Sequence, residues 1–361
     1  MAHPPLNIGD PAPWFAATAG IDPTPVAFDE LAGCSILLFF FGSAGRPDIA
    51  AAVSSIDPQG AIFDGERSLF VGVSNDPNDF VSGRLRGRAG QIYLLDANGA
   101  AAARYGIAAT PVSPLRPIAF LLSPALQIRN IIPFERADDF IRQSNLLLGE
   151  VLAEAPGEQN APVLIVPRVF DRDLCRRLIE LYDASGGREI GLIENKGQIV
   201  ERIDTAHRKR LDYYVSDDGA LQRCRESLER RLLPLVYRAF QFPTTRIERY
   251  LVGCYDAATG GYFRAHRDNT APAVAHRRFA LTLLLNDEYE GGRLRFPEFG
   301  AREFTAARGD AIVFSCALLH EVTPITAGRR YSFISFFYDE LGQKMRDAYA
   351  KSMAATKTIK G

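Results

Sequence analysis

The hydrophobic rhythm of the chain changes near residue 155, and the change separates two sets of elements. In the first stretch, "CSILLFFFG" reads as a buried strand and "RSLFVGVSND" as another strand ending in a turn. "IYLLDANGAAAARYGI" predicts a strand, an Asn-Gly turn and a short helix. "RPIAFLLSPALQIRNIIPF" has the form of a strand hairpin, and "RADDFIRQSNLLLGEVLAEA" that of an amphipathic closing helix. Strands that alternate with helices predict an α/β fold.

Residues 155–162, "APGEQNAP", combine Pro, Gly and polar residues between two patterned segments and read as a linker. Beyond them, "VLIVPRVFDRDLCRRLIELYDASGG" predicts a short strand, then a helix capped by Asp171 with apolar positions at Leu174, Leu178, Ile179 and Leu181 or Tyr182. Residues 219–240 predict a second amphipathic helix, interrupted near Pro234. Such helices brace the outer face of a large sheet. The Arg-rich stretches 202–210 and 222–231 read as solvated helix faces. "FALTLLLNDEYEGGRLRFPEFG" and "EFTAARGDAIVFS" are short apolar strands broken by Asn-Asp, Gly-Gly and Gly-Asp turns, the pattern of a double-sheet jelly roll. The final "AYAKSMAATKTIKG" reads as a frayed basic tail. The predicted divisions are 1–154, a linker at 155–162, 163–342 and a tail at 343–361.

A chain of 361 residues fits this two-domain reading. With 42 basic against 43 acidic residues, nothing in the charge calls for nucleic acid as a partner. The longest apolar run, around Ile36 to Phe41, is too short to span a bilayer, and the opening "MAHPPLNIGD" lacks the layout of a secretory signal. Five scattered cysteines argue against a disulfide framework, so a reducing, cytoplasmic setting is expected.

Candidate chemistry concentrates between Tyr255 and Tyr338. In "GGYFRAHRDN", His266 and Asp268 stand two apart, on one face of an extended segment. Fifty-two residues later comes His320, and ten beyond it Arg330. Two imidazoles and one carboxylate on one side of a metal, with the other positions open, are the donor set of non-haem Fe(II) oxygenases. The Arg supplies a planar cation suited to the far carboxylate of a chelating acid.

The segments "CYDAATGGYFRAHRDN", "LLLNDEYEGGRLRFP", "GDAIVFS" and "HEVTPITAGRRYSF" resemble the 2-oxoglutarate/Fe(II) dioxygenases of the prolyl 4-hydroxylase-like branch, over roughly residues 163 to 340. The resemblance implies a jelly-roll (double-stranded β-helix) domain with bracing helices, in which His266, Asp268 and His320 hold Fe(II). 2-Oxoglutarate would chelate the iron, leaving a position for O2, and ascorbate would serve as an accessory reductant. Arg330 would bind the C5 carboxylate of 2-oxoglutarate, with Arg329 the competing candidate. Arg330 is preferred because it shares a strand face with Ser332 and Ile334. Tyr255 resembles the family tyrosine that hydrogen-bonds the cosubstrate, a core tyrosine being the alternative. Thr282 would add a hydroxyl on the next strand, where some relatives carry tyrosine. The implied activity is hydroxylation of an unactivated C–H bond, on a prolyl or other residue of a protein or peptide, or on a small molecule. The competing reading is a non-catalytic docking or metal-sensing protein. Residues 187–215 and 269–278 are the expected substrate loops, and a homo-oligomer is left open. His207 and His276 read as surface residues, His3 as part of the terminal tail, and Cys254 and Cys316 as core packing.

"LNIGDPAPWFAATAG" and "LLDANGAAAARYGI" resemble the redoxin family (peroxiredoxin, thioredoxin-like) over roughly residues 5 to 150. That family places its reactive cysteine in the loop after the strand "LLFFFG". Here the loop reads "GSAGRPDIAAAV", in which Ser43 is the one hydroxyl and no thiol occurs. Cys34, at the start of the strand, reads as a packed core residue. Pro117 stands where thioredoxin-like folds place a cis-proline. The domain therefore reads as a redox-inactive scaffold or docking surface.

Overall fold

The computed structural model describes residues 6–20, 25–57, 62–107, 115–153, 160–189, 192–195, 199–202 and 205–359. The chain divides into two compact units, Met1–Gln159 with Pro297–Ala301, and Asn160–Phe296 with Arg302–Gly361. Residues 155–159 of the expected linker, and His3, lie outside the described residues. Among those described, no helix is long and apolar enough to cross a membrane.

The first unit is built on a seven-stranded mixed sheet. Its parallel centre is Ser35–Gly42, Ser68–Ser74 and Gln91–Leu95, and the antiparallel hairpin Ile118–Leu122/Ile128–Pro133 extends one side. The strand Ser35–Gly42 is apolar without alternation because both of its faces are covered. Ile36, Leu38 and Phe40 join one core with Ala101, Ala102 and Tyr105. Leu37, Phe39 and Phe41 join another with Ile49 and Ala52 of the helix Pro47–Ser55 and Phe140 and Leu148 of the helix Ala137–Ala153.

The loop after this strand is tied down by carboxylates. Ser43 donates its hydroxyl to Asp76 at 2.8 Å. The fully buried Asp79 accepts from the Ala44 amide at 2.8 Å and the Ser74 hydroxyl at 2.7 Å. Cys34 is buried, and burial, with the nearby Asp64 charge, pushes its thiol up to about 12. The peptide bond before Pro117 is trans, as are all those described, so the cis-proline expectation is corrected.

In the second unit the chain passes back and forth between two antiparallel sheets. The larger runs in the order Leu211–Tyr214, Arg246–Asp256, Ile325–Tyr338, Phe279–Leu284, Ala311–Ser315, Leu164–Val166. The smaller runs Arg208–Lys209, Tyr262–His266, His320–Val322, Leu294–Arg295, Glu303–Phe304. Helices cover one face of the larger sheet. Leu174 and Leu178 of Arg172–Ser185, Cys224 of Asp218–Ser227 and Val236 of Leu233–Phe240 share a core with Val252, Leu281, Leu283 and Phe333. Asp171 and Asp217 cap the first two of these helices through the amides of Leu174 and Ala220. Ahead of Pro234 the helix widens into a π turn, Leu228–Leu232, because proline has no N–H to return to the preceding turn. The opposite sheet face carries alternate residues Arg330, Ser332 and Ile334.

The chain's last segment departs from expectation. Glu340–Ile359 is a helix rather than a frayed tail. Asp339 accepts from the amide of Gly342, and the run that follows is rich in Ala, Lys, Met and Gln, all strong helix formers.

Candidate functional site

His266 ends the strand Tyr262–His266 and His320 begins the strand His320–Val322, and the pairing register sets them directly opposite each other. Asp268 follows two residues after His266, its amide held by the carbonyl of Cys316 at 3.0 Å. The result is three ligand-type atoms within 4.8 Å of one another. His266 Nε2 lies 3.6 Å from one oxygen of Asp268, and His320 Nε2 lies 3.3 Å from the other. Each ring is oriented by its far nitrogen. His266 Nδ1 bonds the Arg264 carbonyl at 2.8 Å and His320 Nδ1 the Leu318 carbonyl at 3.0 Å. With Nδ1–H donating to a carbonyl, Nε2 keeps a lone pair for a metal.

Electrostatics favour the neutral ring at His320. Burial, joined by the neighbouring His266, holds His320 down at about 4 against the opposing pull of Asp268. Burial alone raises Asp268, but His320 and His266 outweigh it and keep the carboxyl well below the usual range. Two imidazoles, that of His320 held neutral, and the ionised Asp268 make a donor set that fits a divalent iron with open positions.

The second component is cationic. Across the large sheet, Arg330 stands opposite Tyr255 and Arg329 opposite Asp256. Arg329 is 59% exposed at its side chain and ion-paired with Asp256 at 2.8 Å. Arg330 is 3% exposed, its guanidinium lies 5.4 Å over the Tyr255 ring, and among the described residues its Nε has no hydrogen-bond partner. Gly292, at φ +60°, makes room for it, since a Cβ there would overlap Ile325 and stand 2.8 Å from Arg330 Cδ. Ser332, fully buried opposite Gly253, also has a hydroxyl without a hydrogen-bond partner among the described residues. Buried polar groups without partners are costly, so this pair fits an anionic ligand. Thr282 pairs with Ile334 and thus lies on the same sheet face as Arg330 and Ser332.

Arg210 and Asp212 complete the arrangement, and the sequence reading missed both. Arg208–Lys209 and Leu211–Tyr214 are strands rather than helix faces, and Arg210, between them, forms a buried two-point ion pair with Asp212 with contacts of 2.6 and 2.9 Å. Arg210 also donates to the Tyr255 hydroxyl at 3.3 Å. Gly253 leaves the necessary space, because a Cβ there would sit 2.9 Å from Arg210 Cδ. The readable signal was an Arg and an Asp two apart, "RLD", so on one strand face.

Two histidine expectations need correction. His276 is buried, hydrogen-bonded to Glu248 and set edge-on to Tyr338, because Glu248, also bound by Arg277, supplies a partner from a distant strand. His207 is half-buried, with its ring 5.6 Å from Phe263 and 6.0 Å from His266. Cys254 and Cys316 are buried as expected. Of the expected substrate loop 187–215, residues 190–191, 196–198 and 203–204 lie outside the described residues.

Comparison with known proteins places this geometry. Residues 250–338 match the family model described as the 2OG-Fe(II) oxygenase superfamily. A PKHD-type hydroxylase of Pseudomonas putida is 32% identical over 191 residues, covering 49% of this chain and 78% of that protein. Against two other curated PKHD-type hydroxylases, from Saccharophagus degradans and Pseudomonas fluorescens, the match spans 41% and 42% of their length. Among solved structures, a prolyl-4-hydroxylase from Pseudomonas putida aligns at TM-score 0.39 with 19% identity, covering 50% of this chain and 94% of that one. The peroxidoxin BcpB of Mycobacterium tuberculosis aligns at TM-score 0.36 with 21% identity, covering 40% of this chain and 98% of that one. The family-model match falls on the unit that carries His266, Asp268 and His320, the Pseudomonas putida relative is covered over 78% of its length, and the chain belongs to the 2OG-Fe(II) oxygenase superfamily.

Proposed function

We propose that the second unit is an Fe(II)- and 2-oxoglutarate-dependent hydroxylase of an unactivated C–H bond, built on a double-stranded β-helix. The observation that carries the reading is the buried Arg330, its Nε without a hydrogen-bond partner among the described residues, over a Tyr255 that clusters with Phe263, the ring stacked on His266 of the donor set. His266, Asp268 and His320 would hold the iron. When bound, the iron would supply the oxidising chemistry, coupling O2 to the conversion of 2-oxoglutarate to succinate and CO2. Arg330 neutralises the C5 carboxylate of the cosubstrate through a planar fork, and Ser332 and Thr282 stand on the same face to add hydroxyl donors. Tyr255 orients the cosubstrate with its hydroxyl. Ascorbate would act outside this set, as a reductant. The names of the relatives, PKHD-type hydroxylases, favour hydroxylation as the outcome. The substrate is a prolyl or other residue of a protein or peptide, with a small molecule as the alternative.

The first unit, residues 1–154, supports a different role. Its mixed sheet with helices on both faces agrees with a redoxin-like scaffold, yet its one described thiol, Cys34, is buried and raised in pKa. A thiolate nucleophile needs the reverse, so this unit serves as a scaffold or docking surface.

Anaerobic titration of the full chain with Fe(II) and 2-oxoglutarate tests the reading. A weak visible charge-transfer band that requires both, absent in Asp268→Ala, is expected, together with O2-dependent succinate formation. Iron binding without any 2-oxoglutarate-dependent band or succinate would favour a metal-sensing protein instead.

A further inference from the structure

The strand Arg246–Asp256 carries one residue too many against its neighbour. Glu248 pairs with Phe336 and Leu251 with Ile334, so three steps on one strand match two on the other. The surplus is taken up where Arg249 adopts φ 64°, a left-handed conformation uncommon for any residue but glycine. Bulges of this kind re-aim side chains and are frequent beside active sites. Here the consequence is specific. Phe336 shares the face of Arg330, Ser332 and Ile334 by strand alternation. Arg277 and Arg249 both lie over its ring, at 3.8 and 5.8 Å. Leu251 pairs with Ile334, so Arg249, two residues before it, lies on the same face by period two, and the bulge brings Glu248 to that face as well.

Arg249 gains little from its surroundings in return. Glu248 is engaged by His276 and Arg277, and Arg249 Nε reaches it only at 3.6 Å. A second guanidinium is in the same position. Arg208 stands opposite Phe263, whose ring stacks on His266 at 3.6 Å, and its charge lies 5.4 Å over that ring. Among the described residues no carboxylate pairs with Arg208, because Asp212 is taken by Arg210. Burial and then repulsion from Arg210, with Arg249 contributing, lower the Arg208 pKa. Burial and then repulsion from Arg277 lower that of Arg249. Two partly buried cations that repel their neighbours, one of them held in a rare backbone conformation, weaken the free protein. Such strain persists at sites where a ligand uses it.

We propose that Arg249 and Arg208 form an anion subsite that takes a carboxylate of the substrate, separate from the cosubstrate carboxylate at Arg330. This deepens the hydroxylase reading and rests on it. The carboxylate belongs either to an acidic side chain of a peptide or to a small organic acid.

The test uses the full chain and defined probes: two fluorescein-labelled peptides of equal length, one of Gly-Pro-Asp repeats and one of Gly-Pro-Asn repeats, and tricarballylate as a free acid. Anisotropy should show the Asp peptide binding on the order of tenfold tighter than the Asn peptide, with the difference shrinking in salt. Arg249→Gln and Arg208→Gln should each remove most of that preference, while Arg249→Lys keeps part of it. Hydrogen exchange in the strand Arg246–Asp256 verifies that the variants remain folded. If tricarballylate binds in an Arg249-dependent way and neither peptide does, the subsite stands and its source is a small acid. If no probe distinguishes wild type from either variant, the proposal is overturned. Succinate formation by the unmodified chain is measured in parallel. Its absence would sink the hydroxylase reading, while the binding result would still report on the two arginines.

Discussion

Arg210 donates a hydrogen bond to the hydroxyl of Tyr255 across 3.3 Å, so that hydroxyl is used as an acceptor and its own proton is left to point elsewhere. The ion pair with Asp212 holds Arg210 in place. Tyr255→Phe should therefore raise the 2-oxoglutarate requirement about tenfold, the worth of one hydrogen bond to a charged group. Arg210→Lys and Gly253→Ala should act in the same direction with smaller effect, since each displaces the guanidinium from the tyrosine. Separate KM and kcat for 2-oxoglutarate check this. A change confined to kcat would show that the tyrosine does not touch the cosubstrate.

Arg330 and its neighbour should behave as opposites. Arg330→Ala removes a buried cation whose Nε has no hydrogen-bond partner among the described residues, so 2-oxoglutarate affinity should fall on the order of hundredfold while Fe(II) affinity changes little. Arg329→Ala breaks an exposed pair with Asp256 and should cost less than about 1 kcal/mol of stability, with no change in cosubstrate affinity. Calorimetric titration of both variants decides between them.

Glu248 ties stability to pH. Burial alone raises its carboxyl, but the hydrogen bond from His276 and the charge of Arg277 outweigh that and bring it from 4.5 to about 2. A depressed folded pKa means the contribution is full above about 4.5 and is lost as pH falls towards 2. Glu248→Gln should therefore cost up to about 3 kcal/mol at pH 7 and progressively less below pH 4. Hydrogen exchange in the strand Arg246–Asp256, followed from pH 7 to pH 3, is the measurement. A gap between wild type and variant that did not narrow with acid would show that the carboxylate contributes nothing through its charge.

Thiol chemistry should be slow throughout. All five cysteines are buried, and burial raises the Cys34 thiol to about 12. An aromatic disulfide reagent should titrate no thiol within minutes on the native chain and five after denaturation. Peroxide should not be consumed. Peroxide consumption that vanished in Cys34→Ser would show that the first unit retains thiol chemistry.

Local spacing carried the parts of this molecule that depend on near neighbours. His266 and Asp268, two apart on an extended segment, and the strand and turn signals around them were visible because a pleat has period two. The choice of Arg330 over Arg329 also came from that period, and the opposition of Arg330 to Tyr255 gives it a register. Arg210 was missed because its meaning depends on pairing between Leu211–Tyr214 and Arg246–Asp256, which no local window contains. The bulge at Arg249 is a mismatch in length between two strands some eighty residues apart, equally invisible to a reading of either one. His276 was misjudged for a similar reason: its partner Glu248 lies 28 residues away. The terminal helix was overlooked because polar residues without a strong apolar stripe were taken for a tail, although their intrinsic preference is helical.

The two histidine rings are aimed by the carbonyl oxygens of Arg264 and Leu318, each two positions upstream of its histidine. Every amino acid supplies such an oxygen, so no substitution at 264 or 318 can delete the aiming group. Only a change in the course of the strand can do so. The iron cradle is in this sense insulated from mutational drift, whereas the side chains around it, Arg208 and Arg249 among them, can be exchanged one at a time. A lineage built on this frame could acquire new substrates without passing through forms that have lost their metal.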